Sequence, residues 1–220
     1  MRGPMAGESN VIVGLGETGL SYARYLAARG ESYLVMDQSP NAERIARLHE
    51  ISAEARIVDL TVEEISHAET VYVSPGVPLS HPAIVAAKKN GAVLKGDVQM
   101  FGELAGAPVV AITGTNGKST VAELTHAMAV AQNPAVVLAG NIGTPCLDVI
   151  DETVELYVLE VSSYQLELAQ NLRSKVAVVL NLSPDHLDRY PDENGYYETK
   201  LSLYSHCDSA VINRELNPRE

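Results

Sequence analysis

Val109-Val110-Ala111-Ile112-Thr113-Gly114-Thr115-Asn116-Gly117-Lys118-Ser119-Thr120 decides how this chain is read. The first five residues, rich in β-branched side chains, predict a strand. A glycine-bearing turn follows, and Lys118-Ser119-Thr120 opens an apolar-periodic stretch that predicts a helix over Ser119–Ala131. Strand, glycine-rich turn, Lys-Ser and helix is the order that wraps backbone N–H groups around a phosphate, with the positive end of the helix behind them. In such a loop Gly114, Thr115, Asn116, Gly117, Lys118, Ser119 and Thr120 bind ATP. Lys118 reaches the β/γ-phosphates, and the Ser119 hydroxyl reaches Mg²⁺. The longer form of the motif has a glycine five residues before Gly117, where this chain has Ile112, so the loop is a shortened variant.

Outward from the loop, short β-branched runs alternate with amphipathic segments, the signature of βαβ units and a parallel sheet. Strands are expected at Val11–Val13, Tyr33–Met36, Arg56–Val58 and Thr70–Val73, with helices over Leu20–Arg29, Glu43–Glu50 and His81–Asn90. A boundary near Lys95–Asp97 divides a first domain, 1–95, from a second, 96–220. In the second, strands are expected at Val136–Ala139, Leu156–Val161, Val176–Leu182 and Ala210–Ile212, and helices at Ser163–Gln170 and Tyr196–Ser205. The fold class is therefore α/β: a Rossmann-like parallel-sheet domain, then a P-loop-type ATP-binding domain.

Composition narrows the function. The 220 residues are 46 % hydrophobic and 20 % charged, which suits a folded core. Sixteen Lys and Arg against 28 Asp and Glu give a net charge of −12, the wrong sign for a nucleic-acid binder. Runs such as Val176–Leu182 are far short of the ~20 apolar residues that cross a bilayer. No apolar stretch follows the amino terminus, so no secretory signal is expected. Cys146 and Cys207 lack C-x-x-C or zinc spacing and read as reduced thiols.

Other motifs stand at strand ends. Gly14-Leu15-Gly16-Glu17-Thr18-Gly19 fits G-x-G-x-x-G, and Asp37 closes the next strand, so an NAD-dependent oxidoreductase is an alternative. A second nucleotide loop downstream favours one nucleotide as a handle on the substrate and another as fuel. Glu160 ends an apolar strand where a magnesium ligand can stand. Asp185 and His186 follow another strand, in Asn181-Leu182-Ser183-Pro184-Asp185-His186-Leu187-Asp188. Tyr197, Lys200, Leu201 and Tyr204 recur on one helical face, where a lysine is expected to snorkel to water. Asn141 lies just past a strand and could present its amide to a ligand.

Taken together, Gly114–Thr120, Gly14–Ser21, Leu159-Glu160-Val161-Ser162-Ser163-Tyr164-Gln165-Leu166 and Asn181–Tyr190 resemble the muramyl ligases, ATP-dependent amide-bond formers of cell-wall precursor synthesis. The resemblance runs from about Val11 to Ile212, and its Ser-Ser-Tyr-Gln-Leu segment is the most specific part. It implies that the first domain holds UDP rather than NAD. Glu17 and Thr18 would meet the diphosphate, Asp37 and Gln38 the uracil, and Ser74 and Gly76 would complete the pocket; Ser39 stands where many relatives have arginine. It further implies ATP and Mg²⁺ as cofactors, with Ser119 and Glu160 at one metal and His186 with a carbamylated Lys200 at a second. Asn141 and Ser162 would contact the UDP-N-acetylmuramoyl-L-alanine substrate, and D-glutamate would be the incoming amine. Lys118, Asp185, His186 and Lys200 would be the catalytic residues of a cytoplasmic monomer. Family members continue through a third, carboxyl-terminal domain. A chain ending at Glu220 is expected to lack it, to have a central sheet short of strands, and to act alone only as a nucleotide- or UDP-sugar-binding fragment.

Overall fold

In the first unit, short runs rich in β-branched residues become the strands of one parallel sheet, with Asn10–Val13, Tyr33–Met36 and Thr70–Val73 the most buried. The computed structural model describes residues 9–169 and 172–216, and the chain divides into two units between Asp97 and Val98. The first comprises β1 (Asn10–Val13), α1 (Glu17–Ala28), β2 (Tyr33–Met36), α2 (Ala42–Ile51), β3 (Arg56–Val58), α3 (Val62–Ile65), β4 (Thr70–Val73), α4 (Pro82–Lys89) and β5 (Val93–Lys95). Its strands lie parallel in the order β3-β2-β1-β4-β5. Val11, Ile12, Val13, Leu34, Val35 and Met36 are buried at its centre.

Order reverses between β1 and β4, the place where open parallel sheets bind ligands. There Gly19 lets α1 approach the glycine turn closely: a Cβ on it would lie 2.0 Å from the Gly14 carbonyl oxygen. Helix α1 begins three residues earlier than expected because Gly16, in extended conformation, caps it. The short helix α3 was not legible in the sequence. Its cap is Thr61, whose hydroxyl accepts from the Glu64 N–H.

The second unit opens within α5 (Asp97–Leu104), also unforeseen. It continues through β6 (Val109–Thr113), α6 (Lys118–Val130), β7 (Val136–Gly140), a 3₁₀ turn at Cys146–Val149, β8 (Leu156–Glu160), α7 (Ser163–Leu166), β9 (Ser174–Val179), α8 (Glu193–Leu201), a 3₁₀ turn at Ser202–His206 and β10 (Cys207–Ile212). All five strands are parallel, ordered β10-β9-β6-β8-β7. The β8→β9 connection crosses β6, so β6 sits at the reversal and its carboxyl end carries the Gly114–Thr120 loop.

Three expectations need correction. The helix expected over Ser163–Gln170 stops at Leu166, because the N–H groups of Leu168 and Ala169 bond three residues back rather than four; Gln170 itself lies outside the described residues. The strand expected to reach Leu182 stops at Val179, since the chain beyond it turns to the phosphate loop. Lys200 does not snorkel: it is 1 % exposed, and the buried face of α8 is Tyr196 and Lys200. Among the described residues, no helix is long and apolar enough to cross a membrane, and both cysteines are free thiols.

Candidate functional site

In the first unit, the ends of β1, β2 and β4 bound a cavity of about 290 Å³. Asp37, Gln38 and Gly76 line it, together with Gly14, Ser39, Val77 and His81. Asp37 also shapes the glycine turn, its two carboxylate oxygens accepting from the N–H of Leu15 at 2.6 Å and of Ser39 at 2.8 Å. Ser74 stands behind the wall, donating from Oγ to the Gly14 carbonyl at 2.8 Å. Glu17 and Thr18 open α1 outside the cavity lining, and Glu17 makes a two-point pair with Arg47 at 2.5 and 2.7 Å. That pair holds the Glu17 carboxyl below its usual range. His81 also lines the cavity, a residue the sequence reading does not single out. Its Nδ1 accepts from the Ala83 N–H at 3.2 Å, capping α4, and its Nε2 lies 3.4 Å from Gln38 Nε2. A histidine directly before Pro82 was the available signal.

In the second unit, the loop after β6 is a tight turn closed by Gly117 at φ +79°, which caps α6. Lys118 curls over it, Nζ donating to the carbonyls of Gly114 and Thr115, both at 3.0 Å. Ser119 and Thr120 occupy the exposed first turn of α6.

Beside the loop, β8 pairs with β6 so that Glu160 lies opposite Ile112. Glu160 is 1 % exposed. Its Oε1 accepts from Asn141 Nδ2 at 2.8 Å, whereas Oε2 is buried with no hydrogen-bond partner among the described residues. A buried carboxylate oxygen left this way is costly unless a donor or cation meets it. The donor set fits Mg²⁺, which takes one or two protein oxygens and completes its shell with water and phosphate. Among the described residues no three His, Cys, Asp or Glu side chains cluster to hold a metal without such help.

Ser162 caps α7 in a reciprocal capping box with Gln165. Asp185 accepts from the N–H of His186, whose Nε2 lies 3.6 Å from Asp185 Oδ2. His186 holds φ +52°, and its Nδ1 meets the Tyr164 hydroxyl at 2.9 Å. Lys200 Nζ donates to the Gly114 carbonyl at 2.9 Å, the same oxygen that Lys118 uses. The structure thus gathers Lys118, Lys200 and Gly114 at one point, and Glu160 with Asn141 at another. It also sets Tyr164 and Tyr196 against the ring of His186.

Burial, with the Lys118 charge adding to it, pushes the Lys200 amine down to about 7. The unfolded amine titrates near 10.5. Between these values the unfolded chain binds more protons, so this group's penalty is full below about pH 7 and fades as pH rises towards 10.5. Lys200→Met should therefore stabilise the chain in CO₂-free buffer, by about 1.4 kcal/mol per pKa unit less the lost hydrogen bonds. Urea unfolding at pH 6 and pH 9.5 tests this; a difference from wild type that fails to shrink at the higher pH contradicts it.

Comparison with known proteins sets these residues in context. A family model described as "Mur ligase MurD-like, N-terminal domain" matches residues 8–96, and "Mur ligase middle domain" matches 112–218. The chain is 45 % identical over 215 residues to the UDP-N-acetylmuramoylalanine--D-glutamate ligase of Nitrosococcus oceani, covering 96 % of this chain and 48 % of that protein. The protein of that name from Pseudomonas aeruginosa is 44 % identical over 206 residues, covering 93 % and 46 %. The chain thus spans about half the length of the curated relatives it matches. Among solved structures, the UDP-N-acetylmuramate:L-alanyl-gamma-D-glutamyl-meso-diaminopimelate ligase from Neisseria meningitides superposes with a TM-score of 0.61 at 16 % identity, over 96 % of this chain and 74 % of that one. The UDP-N-acetylmuramate-alanine ligase from Thermotoga maritima gives 0.57 at 18 %, over 95 % and 50 %, a likeness of fold. With one family model on each unit and the fold in common, the chain belongs to the Mur ligase family.

Proposed function

We propose that this chain supplies the UDP-substrate unit and the ATP unit of a cytoplasmic, monomeric ligase that joins D-glutamate to UDP-N-acetylmuramoyl-L-alanine in peptidoglycan precursor synthesis. The observation that carries the reading is the placement of the phosphate loop and Glu160 at the ends of paired strands, with one buried carboxylate oxygen that has no hydrogen-bond partner among the described residues. The substrate follows the relatives' names at about 45 % identity. In the first unit, Asp37, Gln38 and Gly76 receive the nucleoside, with Ser74 bracing the wall. The N–H groups at Glu17 and Thr18 meet the diphosphate. In the second, Asn141 and Ser162 contact the muramoyl-alanine portion, and Ser119 and Glu160 hold Mg²⁺. When bound, that ion neutralises charge on the phosphate oxygens.

The substrate carboxylate attacks the γ-phosphorus, ADP leaves, and an acyl phosphate forms. The D-glutamate amine then attacks the carbonyl, phosphate leaves, and the amide remains. Lys118 offsets charge on the phosphoryl oxygens during the first step. Asp185, or His186 when it holds no metal, takes the proton that the amine loses in the second. As a cation, Lys200 suits no metal. Its amine, neutral in large share near pH 7, can add CO₂ with loss of one proton, and the resulting carbamate would join His186 at a second metal.

Isothermal titration tests this. Heat is expected for UDP-N-acetylmuramoyl-L-alanine and for a magnesium–ATP analogue, and none for NADH. Lys118→Ala should weaken the nucleotide about 100-fold, the loss of a charge-assisted contact. Saturable NADH binding without UDP-sugar binding would favour the oxidoreductase, and unchanged nucleotide binding in Lys118→Ala would remove the loop assignment.

A further inference from the structure

The tip of the phosphate loop has little packing of its own: a Cβ on Gly117 would meet nothing within 4 Å. The loop is instead held to the segment after β9 by two reciprocal clamps. In one, the Asn181 side-chain amide spans the backbone of Asn116, Oδ1 accepting from its N–H at 2.8 Å and Nδ2 donating to its carbonyl at 2.9 Å. In the other, the Thr115 hydroxyl spans Ser183, accepting from its N–H at 3.1 Å and donating to its carbonyl at 3.2 Å. Between them the Leu180 N–H donates to the Thr113 carbonyl at 2.9 Å, and the Thr115 N–H to the Asn181 carbonyl at 3.0 Å. Asn213, just past β10, braces the strap by donating to the Leu180 carbonyl at 2.7 Å.

We infer that Asn181 is a positioning residue of the nucleoside-triphosphate site, its amide holding the Asn116 backbone so that the phosphate loop keeps its anion-binding shape before the ligand arrives. The inference rests on the ligase reading for the identity of that ligand. A backbone pairing partner at this point could offer one N–H and one C=O in fixed register. An asparagine amide offers the same pair on a side chain, after the strand itself has ended. Without it, the loop would populate its competent form only in part, and apparent affinity falls by that fraction.

Asn181→Ala removes both bonds, and Asn181→Asp, nearly isosteric, keeps the acceptor but sets an oxygen against the Asn116 carbonyl. In the 220-residue chain, Asn181→Ala should speed amide exchange at Asn116 by about tenfold and weaken a magnesium–ATP analogue by about tenfold, as two net hydrogen bonds predict. Asn181→Asp should weaken it also, while UDP binding to the first unit and the melting profile of that unit stay as in wild type. If both variants bind the analogue like wild type while Lys118→Ala does not, the inference fails and the ligase reading stands. If wild type itself does not bind the analogue, both fall together.

Discussion

Gly140→Ala lowers the urea midpoint of the second unit steeply, a loss of about 3 kcal/mol or more. Gly140 ends β7 at φ +109°, opposite Glu160. An added Cβ would sit 2.2 Å from the Glu160 carbonyl oxygen and 3.1 Å from Leu159 Cδ1. Backbone must therefore move, and the strand that moves carries the candidate metal ligand. Left-handed strain alone costs a non-glycine residue about 1–2 kcal/mol. Gly143→Ala isolates that term, since its φ is +71° but its Cβ would find nothing nearer than 3.9 Å. The gap between the two variants measures the steric part at Glu160, and equal midpoints would show that β7 and β8 separate freely.

Arg189→Ala is the second large effect. Its guanidinium pairs with Glu167 through two bonds, at 3.0 and 2.7 Å, and the side chains are 7 % and 14 % exposed. Removing one partner strands a nearly buried carboxylate, which costs about 3–5 kcal/mol. The same guanidinium lies 4.3 Å from the centre of the Tyr164 ring, whose hydroxyl meets His186. The variant should thus lower the unfolding midpoint and broaden the His186 ring signals in NMR. Glu167→Gln in the Arg189→Ala background should recover at least about 1 kcal/mol, because the stranded charge is gone. No recovery would mean that Arg189 acts through packing rather than through its charge.

Much of the architecture was legible in local pattern. Val109–Thr113, Tyr33–Met36 and Thr70–Val73 read as strands because their side chains are of β-forming type and their neighbours are turn formers, and the strands formed with those bounds. Less legible were elements fixed by single contacts. Helix α3 depends on one Thr61 cap, and α7 stops where its hydrogen bonds shorten to three residues.

Lys200 marks the limit most clearly. Its helical spacing among tyrosines was visible, but a lysine beside apolar residues ordinarily reaches water. Only the fold could bring the Gly114 carbonyl, 86 residues earlier, within 2.9 Å of its amine. The chain's own order determined two parallel α/β sheets, a glycine-bearing turn between strand and helix, and an acid at the neighbouring strand end, since these follow from periodicity and short-range turn chemistry. Tertiary structure decided which polar groups are satisfied: Asp37 by Leu15, Asn116 by Asn181, Glu160 by Asn141 on one oxygen only. Hydrogen-bond partners far apart in sequence leave no local trace, because what selects them is the desolvation that folding itself imposes.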